Sequence, residues 1–185
     1  MDDGADRALE VPPTGSPSES ARAQLQAIAE VGADLERAGL DHWLFGGWAV
    51  DLWCGRVTRQ HHDVDLAVLL ADRPAVHGLL VACGWAHEPQ AGEVVGTRYR
   101  RDGVLLELTF VIHDGERVLL PFEPEPAVWS ERSFGSARRS LHGTSARVIA
   151  LDVLLRDKNS PRDDPDDGEK DRSDLAALER ATRQQ

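Results

Sequence analysis

The stretch WLFGGWAVDLWCGRVTRQHHDVDLAVLL, residues 43–70, decides how this chain is read. The aromatic, apolar run His42 to Phe45 predicts a short first strand. Gly46-Gly47 interrupts it, and Trp48 to Trp53 predicts a short helix that stops at Gly55. Val64 to Leu70 predicts a second strand, apolar beyond its first residues. Strand, glycine pair, short helix and returning strand together make the front of a mixed α/β layer.

The chemistry in this stretch sits at the element ends. Asp63-Val64-Asp65 opens the second strand. Alternate strand residues share a face, so Asp63 and Asp65 project together while Val64 turns to the core. Two adjacent carboxylates resist joint ionisation, and a divalent cation removes the conflict. Hard oxygen ligands with positions left for water and phosphate suit Mg²⁺. Further along, Glu107 stands inside the apolar run VLLELTFV, where a charge is costly to bury unless paired or metal-bound. A strand at 104–112 lying beside the Asp63 strand would make Glu107 the third member of a carboxylate triad. The triad would hold one or two Mg²⁺ ions, with Glu107 as metal ligand or as general base.

Gly46 and Gly47 read as a phosphate loop. Glycines between a strand and a helix let the backbone approach a phosphate, and the helix start supplies N–H donors with a partial positive charge. The return loop carries Arg56 and Arg59. Arg59, four residues before Asp63, is placed to reach a triphosphate through bidentate guanidinium contacts. His61 and His62 read as loop residues, since an oxygen-rich site has no need of imidazole.

Outward from this core, residues 20–38 predict a helix with Leu25, Ile28 and Leu35 on one face and Gly39 as its stop. Asp72-Arg73-Pro74 predicts an N-cap and first turn for a helix reaching Cys83. Val94 to Arg100 and Val104 to Ile112 predict antiparallel strands joined at Asp102-Gly103, followed by a turn at His113-Asp114-Gly115 into Arg117 to Leu120. Residues 121–126 (PFEPEP) read as a connector and Arg147 to Ile149 as a last short strand. Two closing helices are predicted near 150–158 and 170–182, separated by the acidic loop SPRDDPDDG. The sum is an α/β (α+β) fold, a mixed sheet flanked by helices with a small helical C-terminal part.

The formal net charge is −11, unevenly placed. Residues 1–20 carry five acids and one base, and residues 157–174 carry eight acids and four bases. This acidity argues against nucleic acid as a substrate, which wants clustered Lys and Arg. It is compatible with a cationic small molecule, and equally with acid kept for solubility. Cys54 and Cys83 are the only cysteines, and without a CxxC pair they read as free thiols in a reducing cytoplasm. No apolar run approaches the roughly 20 residues that span a membrane.

Taken together, G-G-W-A-V-D-x(3)-G-R-V-T-R-x-H-x-D-V-D-L resembles the polymerase-beta-type nucleotidyltransferase superfamily. Within it the segment is most similar to the small aminoglycoside and lincosamide nucleotidyltransferases, with a weaker likeness at 94–112 and at LLRDK…EKDRSDLAAL. The resemblance implies a nucleotidyltransferase fold, Mg²⁺ on Asp63 and Asp65, and triphosphate contacts from Gly46 and Gly47. The family's third carboxylate, often Asp, maps onto Glu107, one methylene longer. Asp51 matches the pattern and reads as a brace of the loop. Lys158 and Lys170 are candidates for late phosphate contacts or ordinary surface lysines. Trp48, Trp53, Trp85 and Trp129 are candidate pocket walls or core.

The expected organisation is a disordered tail at 1–21, a catalytic domain at 22–122 and a mainly helical part at 127–182, with substrate in the cleft between the last two. The expected reaction moves a nucleoside monophosphate from ATP or another nucleoside triphosphate to a hydroxyl of an antibiotic-type small molecule. Transfer to a protein or a tRNA, and a non-catalytic nucleotide-binding module, are the alternatives.

Overall fold

In this computed structural model, residues 16–89, 95–114, 117–121, 127–130, 134–161 and 164–183 are described. The tail to residue 15, the hairpin approach at Val94 and most of the 121–126 connector lie outside them.

Helix α1 (Glu19–Arg37) is the helix expected at 20–38. The Ser18 side chain accepts from the Ala21 N–H at 3.1 Å, with Glu19 in the first turn and Arg37 in the last, the charge order a helix dipole favours. Leu25, Ile28, Val31 and Leu35 form its buried stripe. Strand β1 (His42–Leu44) leads into α2 (Gly46–Cys54), which starts two residues earlier than expected, at the glycine pair. Strand β2 (Val64–Leu69), a single 3-10 turn at Leu70–Asp72 and helix α3 (Arg73–Ala82) follow. Asp72 occupies the N-cap position of α3 without a side-chain cap bond, and Pro74 lies in the first turn.

Strands β3 (Ala86–Glu88), β4 (Gly96–Arg101), β5 (Val104–Asp114), β6 (Arg117–Leu120) and β7 (Ala127–Ser130) complete the sheet. The β4–β5 turn is at Asp102-Gly103, with φ of 50° and 79°, the paired positive φ a two-residue hairpin demands. Among the described residues seven strands form one mixed sheet, in the path β1-β2-β5-β4-β3 with β6 and β7 added to β5. The β2–β5 pair is parallel and the others are antiparallel. The part expected to be mainly helical from 127 also holds three strands ahead of its helices: β7 joins the main sheet, and β8 (Arg138–Leu141) with β9 (Thr144–Arg147) forms a separate hairpin. The short strand expected at 147–149 is thus mostly earlier, and Val148 keeps only a bridge to Leu44. Helix in the C-terminal part is α4 (Leu151–Lys158) and α5 (Pro165–Thr182). Helix α5 takes in Pro165 to Gly168, which had read as loop, because Asp164 caps it by accepting from the Asp166 N–H at 2.9 Å.

The core leaves one stretch of a sheet face half-exposed, although Ala67 and Val111 on that face are buried. On β5, Val104, Leu106, Leu108 and Phe110 are buried while Leu105, Glu107 and Thr109 are half-exposed. The buried set packs with α1 and α3 residues such as Leu25, Ile28, Val76 and Leu80. Trp48 and Trp85 belong to this core, so they do not wall a pocket. A second cluster joins α2, α4 and α5 through Val50, Val153, Leu154 and Leu178. No described helix is long and apolar enough to cross a membrane.

Candidate active site

Asp65 is the second residue of β2, and its register partner on parallel β5 is Glu107. In-register neighbours of adjacent strands point to the same side, so the two carboxylates share the half-exposed face of the sheet. Asp63 precedes β2 and is likewise half-buried, while Val64 between them is in the core. The expected trio therefore gathers at one place. Burial first, then Asp63 and Glu107, push the Asp65 carboxyl up to about 8, against an ordinary value of 3.8; Lys158 and Arg59 oppose the rise. The part of the rise that comes from Asp63 and Glu107 is like-charge crowding, which a divalent cation relieves.

Among the described residues no three His, Cys, Asp or Glu side chains form a ready cage for a metal ion. Mg²⁺ arriving with a triphosphate needs only one or two carboxylates, the rest of its shell being phosphate and water. The pair at Asp63 and Asp65 fits that demand. Glu107 differs from the sequence expectation in its surroundings. Its side chain is 27% exposed rather than buried, and Oε1 accepts from Arg98 Nε at 2.7 Å. Arg98 is its cross-strand partner on β4. The cost of burying a charge is thus not what singles out Glu107; an arginine and open solvent hold it.

Each glycine of the pair has a close neighbour. Gly46 has φ +64°, and a Cβ there would run into the Asp65 carboxylate. A Cβ on Gly47 would strike His61 Nδ1 and Arg59 Nη2. The first turn of α2 is thereby pressed against Asp65 on one side and the return loop on the other. The Phe45 N–H donates to the Asp65 carbonyl at 3.1 Å, stitching the start of α2 to β2. Phe45 gives α2 no side-chain cap bond.

The return loop is braced from beneath. Asp51 is fully buried. Its Oδ1 accepts from the Thr58 N–H at 3.0 Å and the Thr58 hydroxyl at 2.5 Å, and Oδ2 meets His61 Nε2 at 2.6 Å. His61 lies against Trp48, with ring centroids 4.6 Å apart. Trp48 Nε1 donates to Gln24 Oε1 at 2.9 Å, and Gln24 Nε2 donates to the His61 carbonyl at 3.1 Å. Asp51 therefore braces the loop as read from sequence, and His61 is a buried loop residue while His62 is exposed.

Arg59 is held in a way the sequence did not reveal. Its Nε and Nη2 donate to Asp174 of α5 at 2.8 and 3.0 Å. Lys158 is buried and donates to Asp171 at 2.8 Å, with Asp174 at 3.0 Å. It is neither a surface lysine nor a free phosphate contact in this structure. Lys170 is exposed and pairs with Asp167. Burial alone would lift Asp174, but Arg59 and Lys158 hold its carboxyl below the usual carboxylate range. One signal could have exposed this cluster: Asp171, Asp174, Ala177 and Leu178 occupy a single helical face, so two acids lie on the buried stripe of α5. The Trp129 side chain lies outside the described residues.

A sequence model of the family described as aminoglycoside-2''-adenylyltransferase matches residues 27–178. Curated 2''-aminoglycoside nucleotidyltransferases of Klebsiella pneumoniae and Escherichia coli are each 28% identical over 111 residues, or 60% of this chain. The chain spans about half the length of those relatives, 52%. The lincosamide antibiotic adenylyltransferase LnuA, solved with lincomycin, is similar at TM-score 0.65 and 18% identity, over 89% of this chain and 98% of that one. ANT(2'')-Ia in complex with adenylyl-2''-tobramycin is similar at TM-score 0.61 and 20% identity, over 86% and 93%. These likenesses are of fold: the mixed sheet with flanking helices is that of the two nucleotidyltransferases.

Proposed function

This chain belongs to the aminoglycoside-2''-adenylyltransferase family, and from that premise we propose that it transfers a nucleoside monophosphate from a nucleoside triphosphate, ATP first, to a hydroxyl of an aminoglycoside- or lincosamide-type antibiotic. The observation that carries the reading is the Asp65–Glu107 register pair beside Asp63, set against the start of α2.

Asp63 and Asp65 hold Mg²⁺, one ion or two, which when bound neutralises the triphosphate and makes the acceptor hydroxyl more acidic. The N–H groups of the first α2 turn, at Gly46 and Gly47, meet phosphate oxygens. Arg59 adds its guanidinium from the return loop. The acceptor oxygen attacks the α-phosphorus in line; the bond to the β-phosphate bridging oxygen breaks and pyrophosphate leaves. Glu107, on the open face and within reach of the same region, takes the hydroxyl proton or completes the metal's ligands. The half-exposed face carrying Leu105, Glu107 and Thr109 is the floor on which the acceptor lies. The surplus acid of the chain suits a cationic acceptor and disfavours nucleic acid. A cytoplasmic setting, consistent with two unpaired cysteines, belongs to this proposal.

The test is pyrophosphate release with Mg²⁺-ATP and Mg²⁺-GTP across a panel of aminoglycosides and lincosamides, with Asp65→Asn as control. Acceptor-dependent release that disappears in Asp65→Asn supports the proposal and names the acceptor. Binding of nucleotide without release, whatever drug is added, sinks the antibiotic reading and turns the search to protein or tRNA acceptors.

A further inference from the structure

The contact between Arg59 and Asp174 joins two parts of the chain 115 residues apart. Asp174 has no exposed surface, and Arg59 is 22% exposed at its side chain. The carboxylate takes the side edge of the guanidinium, Nε with Nη2. The far edge, Nη1 with Nη2, points away from Asp174, and Nη1 donates to the Gln60 carbonyl at 3.2 Å. Nη2 also lies against Gly47, over the first turn of α2. A guanidinium anchored by one edge and turned outward by the other is set up to grip an anion arriving at that turn.

The same carboxylate holds a second cation. Lys158 is shared between Asp171 and Asp174, so two cations and two carboxylates make a charge-balanced group of four, buried except at Arg59. A buried ion group of this kind is poor evidence for stability, because desolvation offsets much of the attraction. It does fix geometry: removing Asp174 leaves Arg59 free to turn and Lys158 with Asp171 alone. Both cations sit close enough to Asp65 to act on its charge.

We infer that Asp174 is a positioning residue for the nucleotide: from α5 it holds Arg59 over the α2 turn so that the outer guanidinium edge meets the triphosphate. This rests on the nucleotidyl-transfer reading above. It also gives α5 a part in nucleotide binding without contact between α5 and the nucleotide.

The experiment is isothermal titration calorimetry of the full chain with Mg²⁺-ATP and Mg²⁺-GTP, for wild type, Asp174→Asn, Arg59→Gln and the double variant. Nucleotide affinity should fall about tenfold in each single variant and little further in the double, the non-additivity of residues that act as a unit. In turnover, the nucleotide KM should rise while the acceptor KM stays. A merely structural Asp174 would lower the melting temperature and leave nucleotide affinity per folded molecule unchanged, and that result overturns the inference. So does tighter binding in Asp174→Asn, which would mean that Asp174 withholds Arg59. Where Asp174→Asn does not fold, unchanged affinity in folded Arg59→Gln overturns it alone. Wild type that binds neither nucleotide refutes the transfer reading itself; wild type that binds, beside variants that bind equally, refutes only the role of Asp174.

Discussion

Glu107 stands in register between Asp65 on one neighbouring strand and Arg98 on the other. The three side chains make a row across β2, β5 and β4, two carboxyl groups followed by a guanidinium. Arg98 draws the Glu107 carboxylate toward β4, at 2.7 Å, while Asp63 and Asp65 remain together at the head of β2. Under the proposed function this arrangement would divide labour among the carboxylates, metal at the aspartates and acceptor side at the glutamate.

Glu107→Gln should therefore lower kcat by about 100-fold or more, the usual weight of a lost general base. Mg²⁺-ATP affinity should stay near wild type, since Asp63 and Asp65 are untouched. Calorimetry beside steady-state kinetics checks this. A large loss of Mg²⁺-dependent nucleotide affinity would instead make Glu107 a metal ligand.

The Asp65 carboxyl carries a pH signature. Its value rises from 3.8 when unfolded to about 8 when folded. Between those values the native state binds the extra proton, so this group's contribution is fully present below about 3.8 and lost as pH rises through about 8. Metal-free wild type should lose stability across that window, and Asp65→Asn should show a shallower slope. Urea unfolding at pH 6, 7 and 8, with chelator, measures both slopes. Mg²⁺ binding must displace the same proton, so apparent Mg²⁺ affinity should rise with pH and level off above about 8. Parallel slopes in the two proteins would remove Asp65 as the source.

Gly46→Ala tests the close approach. The substitution meets two penalties, a left-handed φ and a clash with the Asp65 carboxylate. Backbone strain alone costs about 1–3 kcal/mol. Stability by denaturant titration should fall by at least that much, and turnover should fall further because Asp65 is displaced. Gly55→Ala has a similar φ of +69° and no neighbour within 4 Å, so it should show the stability loss without the extra loss of turnover.

What the sequence made legible was local. Gly46-Gly47 and Asp63-Val64-Asp65 are short patterns whose geometry follows from the period of a strand and the start of a helix. Glu107 was legible as an interruption of an apolar strand, though for the wrong reason: alternation places it on a half-exposed face beside Arg98. Strands β3 and β8 were missed because AHE and RRSL carry no apolar alternation. The Arg59–Asp174 contact was missed because nothing in a chain states which of several acids an arginine reaches across 115 residues. Lys158 was misread for a related reason, since a lysine with two buried acids looks in sequence like any lysine.

Asp51 gives the strongest stability prediction. It is fully buried and satisfies Thr58 twice and His61 once. Asp51→Ala would leave buried His61 and half-buried Thr58 without these partners. Leaving a buried polar group unsatisfied costs about 1–3 kcal/mol. Denaturant titration should show that loss, and Asp51→Asn, which keeps an acceptor, should show less. A loss below about 1 kcal/mol in Asp51→Ala would mean that the loop holds without this brace.

Arg98 decides what the floor prefers. Its pair with Glu107 is partly solvent-exposed on both sides, so Arg98→Gln should change stability by no more than about 1 kcal/mol. The consequences for turnover are opposite for the two halves of the reaction. Glu107 loses the partner that fixes its carboxylate, so kcat should fall. A positive charge also leaves the face proposed for the acceptor, and a polycationic acceptor should gain affinity by roughly threefold to tenfold at low salt, fading as salt screens the field. Nucleotide affinity should not move, because Arg98 belongs to β4 and the proposed phosphate site is the α2 turn. Acceptor KM for an aminoglycoside and for a lincosamide, at two salt concentrations, reads this out. A gain confined to the polycation assigns the acceptor site to this face; equal KM values for both drugs before and after the substitution place the acceptor elsewhere.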